Sequence, residues 1–145
     1  MAALTAERIA PRKSFLRDVS LPCGAAMTFY RGGCVNWDAS DVSAQPAGTG
    51  TDTDQFPVGT SMHTVVNSGA KGAKNVRVEL FQPVECVVLA NDGGGGALVA
   101  ANLLSIVYFL DDQTVTSTSA NNSKAGRLWK IDSDGCHVEM LRPAP

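Results

Sequence analysis

Hydrophobic positions along this chain recur at every second residue far more often than at every third or fourth, which predicts short strands. The clearest case is residues 75–81, where Val76, Val78 and Leu80 alternate with Arg77, Glu79 and Phe81. That segment is expected to be a strand with the three aliphatic residues facing a core. Residues 25–37 predict a first pair of strands, Met27 and Phe29 then Val35 and Trp37, around the Gly32-Gly33 break. Residues 57–66 are expected to alternate around Met62, Thr64 and Val66, and residues 67–74 form a turn-rich bridge. After Pro83, the apolar run 84–89 predicts a strand buried on both faces.

The densest pattern lies in residues 105–140. Residues 106–110 are an apolar strand ended by Asp111-Asp112, whose carboxylates can accept backbone N–H bonds in a tight turn. Residues 113–118, rich in Thr and Val, return as a strand, and Asn121-Asn122 makes the next break because Asn tolerates positive φ. Residues 126–132 place Arg127, Trp129 and Ile131 on one face, with Leu128 and Lys130 on the other. At 132–135 Gly135 can supply the positive φ of a hairpin turn. Cys136, Val138 and Met140 then oppose His137, read as a surface residue, and Glu139.

Between these elements the polar stretch 38–56 is expected to be a long loop, with too little apolar surface to fix itself. Residues 97–104 are the one helical candidate, a turn or two. Residues 1–22 read as an extended arm carrying Arg8, Arg12, Lys13 and Arg17 without a core of its own, ahead of a single β domain at 23–145. The expected fold is all-β, a compact Greek-key sandwich or barrel of roughly eight to ten short strands.

Composition narrows the chemistry. A charge of −2 over 145 residues gives no field to recruit nucleic acid or an anionic membrane, and no apolar run reaches the ~20 residues of a membrane span. The N-terminus lacks the charged-then-apolar order of a signal peptide. Cys23, Cys34, Cys86 and Cys136 lack paired spacing and read as buried reduced thiols, not as zinc ligands with His63 or His137. Asp52 and Asp54 lack the calcium-loop order. The run 93–96 lacks the Lys and Ser/Thr of a phosphate loop and reads as a flexible connector. No nucleophile, base and oxyanion donor fall into a motif, so no enzyme activity, cofactor or metal is expected.

One resemblance is carried by 108–115 (YFLDDQTV), 122–127 (NSKAGR) and 131–138 (IDSDGCHV), and more weakly by 4–8, 28–32, 58–59, 67–73 and 76–78. These segments resemble the head-decoration, or cement, proteins of tailed bacteriophages, although Gly33 and Cys34 depart from the single glycine and small residue of that pattern. The resemblance implies a structural virion protein on the capsid exterior, assembled in the host cytoplasm. Its partner would be the phage major capsid protein, with itself as a homo-oligomer, dimer or trimer. Arg8, Arg12, Lys13 and Arg17 would then be candidate capsid-binding residues. The alternative class is a β-barrel module for a saccharide or peptide, disfavoured by an aromatic content of only 6%.

Overall fold

A computed structural model describes residues 17–49, 54–83 and 85–141 of the chain. The fold is all-β, with one 3₁₀ turn at Ala100–Asn102 inside the segment expected to be helical. In chain order the strands are β1 (Asp18–Pro22), β2 (Met27–Phe29), β3 (Cys34–Asp38), β4 (Ser43–Pro46), β5 (Gln55–Ser61) and β6 (Val65–Asn67). There follow β7 (Asn75–Leu80), β8 (Cys86–Asn91), β9 (Ile106–Phe109), β10 (Thr114–Thr116), β11 (Lys124–Asp132) and β12 (Gly135–Met140).

The first half of the chain forms an antiparallel sheet in the order β1-β7-β5-β3-β4, with β2 and β6 paired separately beside it. This sheet curls until its two edges meet: Cys23 bridges to Ala44, and Gly24 N–H donates to the Ala44 carbonyl at 2.9 Å. The second half closes completely into a barrel, β10-β8-β12-β11-β9, in which only the β10–β8 pair is parallel. Closure leaves no open edge on that barrel.

Each half has its own core. Cys23, Phe29, Val35, Ala44, Val76 and Val78 fill the curled sheet, and Val107, Phe109, Val115, Leu128, Cys136 and Val138 fill the barrel. The two are joined because Cys34, Ala47 and Phe81, all from the first half, are buried in the barrel's cluster. Cys34 N–H also donates to the Asp112 carbonyl at 2.7 Å.

Alternation located β7 correctly: Val76 and Val78 are buried, Leu80 half-buried, and Arg77 and Glu79 exposed. Phe81 then turns inward past the end of the strand to the barrel core. Other expectations are corrected. The segment 18–22 is no arm but strand β1, held along its length by β7. The strands flanking Gly32-Gly33 do not pair with each other; β2 joins β6, and β3 joins β4 and β5. In β5 the buried positions are Gln55, Pro57, Gly59 and Ser61, whereas Met62, Thr64 and Val66 are exposed. The inward face there is polar or small, so hydrophobicity marked the wrong residues. A Cβ on Gly59 would lie 2.0 Å from the Glu79 carbonyl, so the close approach of β5 to β7 requires glycine. Strand β8 buries Leu89 and leaves Val88 exposed, since a small barrel has one outward face.

In β11 the register against β12 slips between Leu128, opposite Val138, and Lys130, opposite His137. Trp129 is the extra residue of this bulge and is exposed. Ile131, opposite Cys136, therefore packs against the core on the same side as Leu128, reversing the expected facing. The turns behave as read: Asn121 and Gly135 have positive φ, and Asp111 Oδ1 accepts the Gln113 N–H at 2.9 Å.

Candidate interaction surfaces

The polar stretch 38–56 holds the main departure from expectation. Strand β4 is buried at every residue: Ala44 joins the apolar cluster of the curled sheet, whereas Gln45 enters a hydrogen-bonded polar core. Asp38 is its centre, 4% exposed, with Ser40 N–H and hydroxyl and Asp41 N–H donating to Oδ1. Gln45 Nε2 donates to Oδ2 at 2.9 Å, and Gln55 Nε2 donates to Gln45 Oε1 at 2.9 Å. Asn36 extends the chain of donors to Gln55 and, at 2.9 Å, to Ser123 of the second half. Burial alone would raise the Asp38 carboxyl pKa, but the donors from Ser40, Asp41 and Gln55 outweigh it and hold the pKa below the ordinary value. Apart from Asn36 Oδ1, which is buried without a hydrogen-bond partner among the described residues, the network is filled by its own partners, which makes it structural.

The glycine run is likewise internally occupied. Gly94 N–H donates to Asp92 Oδ1 at 2.8 Å and Thr116 Oγ1 to Oδ2 at 2.9 Å, which depresses the Asp92 pKa. With a carboxylate already on its donors, the loop is a poor cradle for phosphate. Nor is it a loose connector throughout, because Gly96 is buried and a Cβ there would lie 2.1 Å from Thr116 Oγ1.

His137 is half-buried, not a plain surface residue: its Nε2 lies 3.0 Å from Asp132 Oδ2, which also pairs with Lys130 Nζ at 3.0 Å. The Lys130 bond, the Asp134 N–H and His137 hold Asp132 well below the usual carboxylate range. All four cysteines are free; Cys23, Cys34 and Cys136 are buried, while Cys86, against expectation, is exposed. Burial, with Asp112 and Asp111 adding to it, pushes the Cys34 thiol up to about 12, so it is no nucleophile. Among the described residues no three His, Cys, Asp or Glu side chains converge as a metal site.

Two surface features among the described residues bear on binding. The first is apolar. Val99, Leu103, Leu104 and Trp129 are all exposed, on the 3₁₀ segment and the adjoining β11 bulge. Leu104 N–H donates to the Leu128 carbonyl at 2.7 Å and Leu128 N–H to the Ser105 carbonyl at 3.0 Å, which fixes the segment beside Trp129. Leu104 has φ +67°, a left-handed conformation that costs a branched aliphatic residue roughly 1–2 kcal/mol and is more often filled by Gly or Asn. A costly backbone that presents a leucine to solvent is not explained by the barrel core. Trp129 Nε1 donates to Glu139 Oε2 at 2.7 Å, which holds the indole against the barrel wall. The sequence marked Leu103 and Leu104 only as helix; an apolar pair bounding a strand was the signal.

The second is a cleft of about 340 Å³ between β2, the turn after β4 and the β9–β10 turn. Met27, Tyr30, Pro46 and Ala47 give it an apolar wall, and Asp111 and Asp112 an acidic end. Gly48, at φ +83°, lies so near the Asp111 backbone that a Cβ would come within 2.5 Å of its Cα, which sets the two turns against each other. Burial and the neighbouring Asp111 raise the Asp112 pKa, and neither carboxylate has an ion-pair partner among the described residues.

Of the candidate capsid-binding residues, Arg8, Arg12 and Lys13 lie outside the described residues, as does Asp52. Arg17 is exposed at the start of β1, and its carbonyl accepts the Leu80 N–H at 2.8 Å. Gln82 Nε2 donates to the Leu80 carbonyl at 3.1 Å, which ends the β1–β7 ladder there.

Comparison of the chain with protein-family models, with curated proteins and with solved structures finds no match in any of the three.

Proposed function

We infer that the protein is a structural virion component, a cement protein that binds the outer surface of a phage capsid and stabilises it by bridging capsid subunits. The observation that carries this reading is the exposed set Val99, Leu103, Leu104 and Trp129 on a closed barrel, with Leu104 held in a costly backbone conformation. Apolar display of this kind serves a protein partner. The segments resembling cement proteins agree with it: Asp111-Asp112 and the 132–135 turn fall at corners of the same barrel, and Gly126 lies within its strand β11. A Cβ at Gly126 would lie 2.0 Å from the Glu139 carbonyl, so these residues maintain the platform and carry no chemistry of their own. The major capsid protein is the proposed partner. Homo-oligomerisation, as dimer or trimer, has a ready surface in the two-stranded β2–β6 sheet, whose outer edges pair with no other strand among the described residues. The cations Arg8, Arg12, Lys13 and Arg17 belong to the same proposal as the salt-sensitive part of assembly. The mechanism is mass action: a ligand that binds only the assembled lattice stabilises it by RT ln(1 + [L]/Kd) at each site.

The test is co-sedimentation with mature empty capsids of the cognate phage. Wild type should pellet with capsids and raise their melting temperature. Leu104→Asp, which tolerates the left-handed backbone, and Trp129→Ala should each weaken binding on the order of tenfold with the fold intact. Failure of the wild type to pellet at any salt, joined to retention on a glycan or peptide array, would replace this reading with the β-barrel binding module.

A further inference from the structure

We propose that the acidic–apolar cleft at Asp111-Asp112 is the docking site of the chain's own basic segment, residues 8–13. This concerns the unassembled chain, whose cations would leave the cleft to meet a capsid, and does not depend on the capsid reading. Three observations lead to it. The first is charge: Asp111 and Asp112 lack cation partners among the described residues, while Arg8, Arg12 and Lys13 put three cations into six residues around Ile9, Ala10 and Pro11. An apolar wall formed by Met27, Tyr30, Pro46 and Ala47 suits the uncharged part of that segment, and the carboxylates suit its ends.

The second is reach. Leu80, which bonds Arg17, stands opposite Gly59, Gly59 opposite Val35, and Val35 opposite Pro46 at the rim of the cleft. Arg17, from which the chain leads back to residues 8–13, thus lies in the same row of the sheet that ends at the cleft. Four strand spacings of ~4.8 Å put the two about 19 Å apart along the sheet, and its curl shortens the direct path. Arg12 lies five residues before Arg17 and Arg8 nine, or at most roughly 17 Å and 30 Å of extended chain. The segment brackets the distance.

The third is the competing site. Beside Leu80 itself lies a cleft of about 290 Å³ with Glu79 and Glu85, but its lining is mostly polar, and Glu85 already accepts the Gln82 N–H at 2.8 Å. Leu80, Phe81 and Val87 line it too, but its exposed surface offers Ile9 and Pro11 less apolar contact than the wall at Met27 and Pro46.

The full chain can be treated with a zero-length carbodiimide, which joins a lysine amine to a carboxylate in contact with it, and the product mapped by mass spectrometry. The expected product is an amide between Lys13 and Asp111 or Asp112 in the monomer fraction, lost at high salt. In parallel, the paired substitution Asp111→Asn, Asp112→Asn should speed tryptic cleavage after Arg12 and Lys13 roughly fivefold, the order expected for two exposed ion pairs, at an unchanged melting temperature. Asn keeps the acceptor that Gln113 N–H uses. A link to Glu79 or Glu85, a link found only between two copies, or no link together with equal cleavage rates would each overturn the proposal.

Discussion

At the scale of single residues, the alternation in β7 decides much of the first core. Val78 is fully buried between Cys23, Phe29 and Val35 in the curled sheet's cluster, while Arg77 points outward and pairs with Asp18 at 2.9 Å. The two neighbours should therefore respond very differently. Val78→Asp places an unpaired carboxylate in an apolar site and should cost about 3 kcal/mol or more, enough to unfold a marginal variant. Arg77→Gln removes one exposed ion pair and should cost under about 1 kcal/mol. Chemical denaturation of both variants checks this, and equal losses would mean that the register is wrong. The pattern was legible in the sequence here because every inward residue of the strand is apolar.

At the scale of elements, legibility failed where the inward face is polar. Strand β4 reads Ser-Ala-Gln-Pro and β5 opens with Gln55, so nothing in 38–56 announces a buried strand pair. What fixes it is Asp38, which collects donors from Ser40, Asp41, Gln45 and Gln55, together with Asn36 bonded to Ser123, 87 residues away in sequence. Such partners come from tertiary structure and leave no local period. The bulge at Trp129 was hidden for a related reason: a one-residue slip reverses facing without changing composition. The hairpin of β11 and β12, by contrast, was signalled by its turn, and that turn carries a pH dependence. Asp132 is held well below the usual carboxylate range by Lys130, the Asp134 N–H and His137. A depressed folded-state pKa contributes stability above the unfolded value of about 3.9 and loses it as the pH falls toward the folded one. Thermal melts of wild type and Asp132→Asn should thus differ at pH 5 to 7, with wild type higher, and the gap should close steadily below about pH 4. A gap independent of pH would show that the carboxylate's charge has no part in holding the turn.

At the scale of the whole molecule, the question is whether a curled sheet and a closed barrel, each with its own cluster, fold as one. Their cores are not separable. Phe81 leaves the end of β7 and is 5% exposed within the barrel's cluster, Cys34 and Ala47 enter the same cluster from β3 and the turn after β4, and Asn36 bonds Ser123 across the junction. Removing a buried phenylalanine costs about 3–5 kcal/mol, a large share of a typical domain stability of about 5–15 kcal/mol. The chain supplies its own reporters, because its two tryptophans fall one to each half, Trp37 in β3 and Trp129 in β11. Trp37→Phe leaves fluorescence from the barrel alone, and Trp129→Phe leaves it from the curled sheet alone. With a shared junction, each variant's fluorescence midpoint in denaturant should match its midpoint by circular dichroism. Adding Phe81→Ala should then lower both by similar free energies, although that residue belongs by sequence to the first half and by packing to the second. Separate midpoints in the parent variants, or a Phe81→Ala loss confined to the Trp129 signal, would show instead that the barrel unfolds on its own and that the junction transmits little.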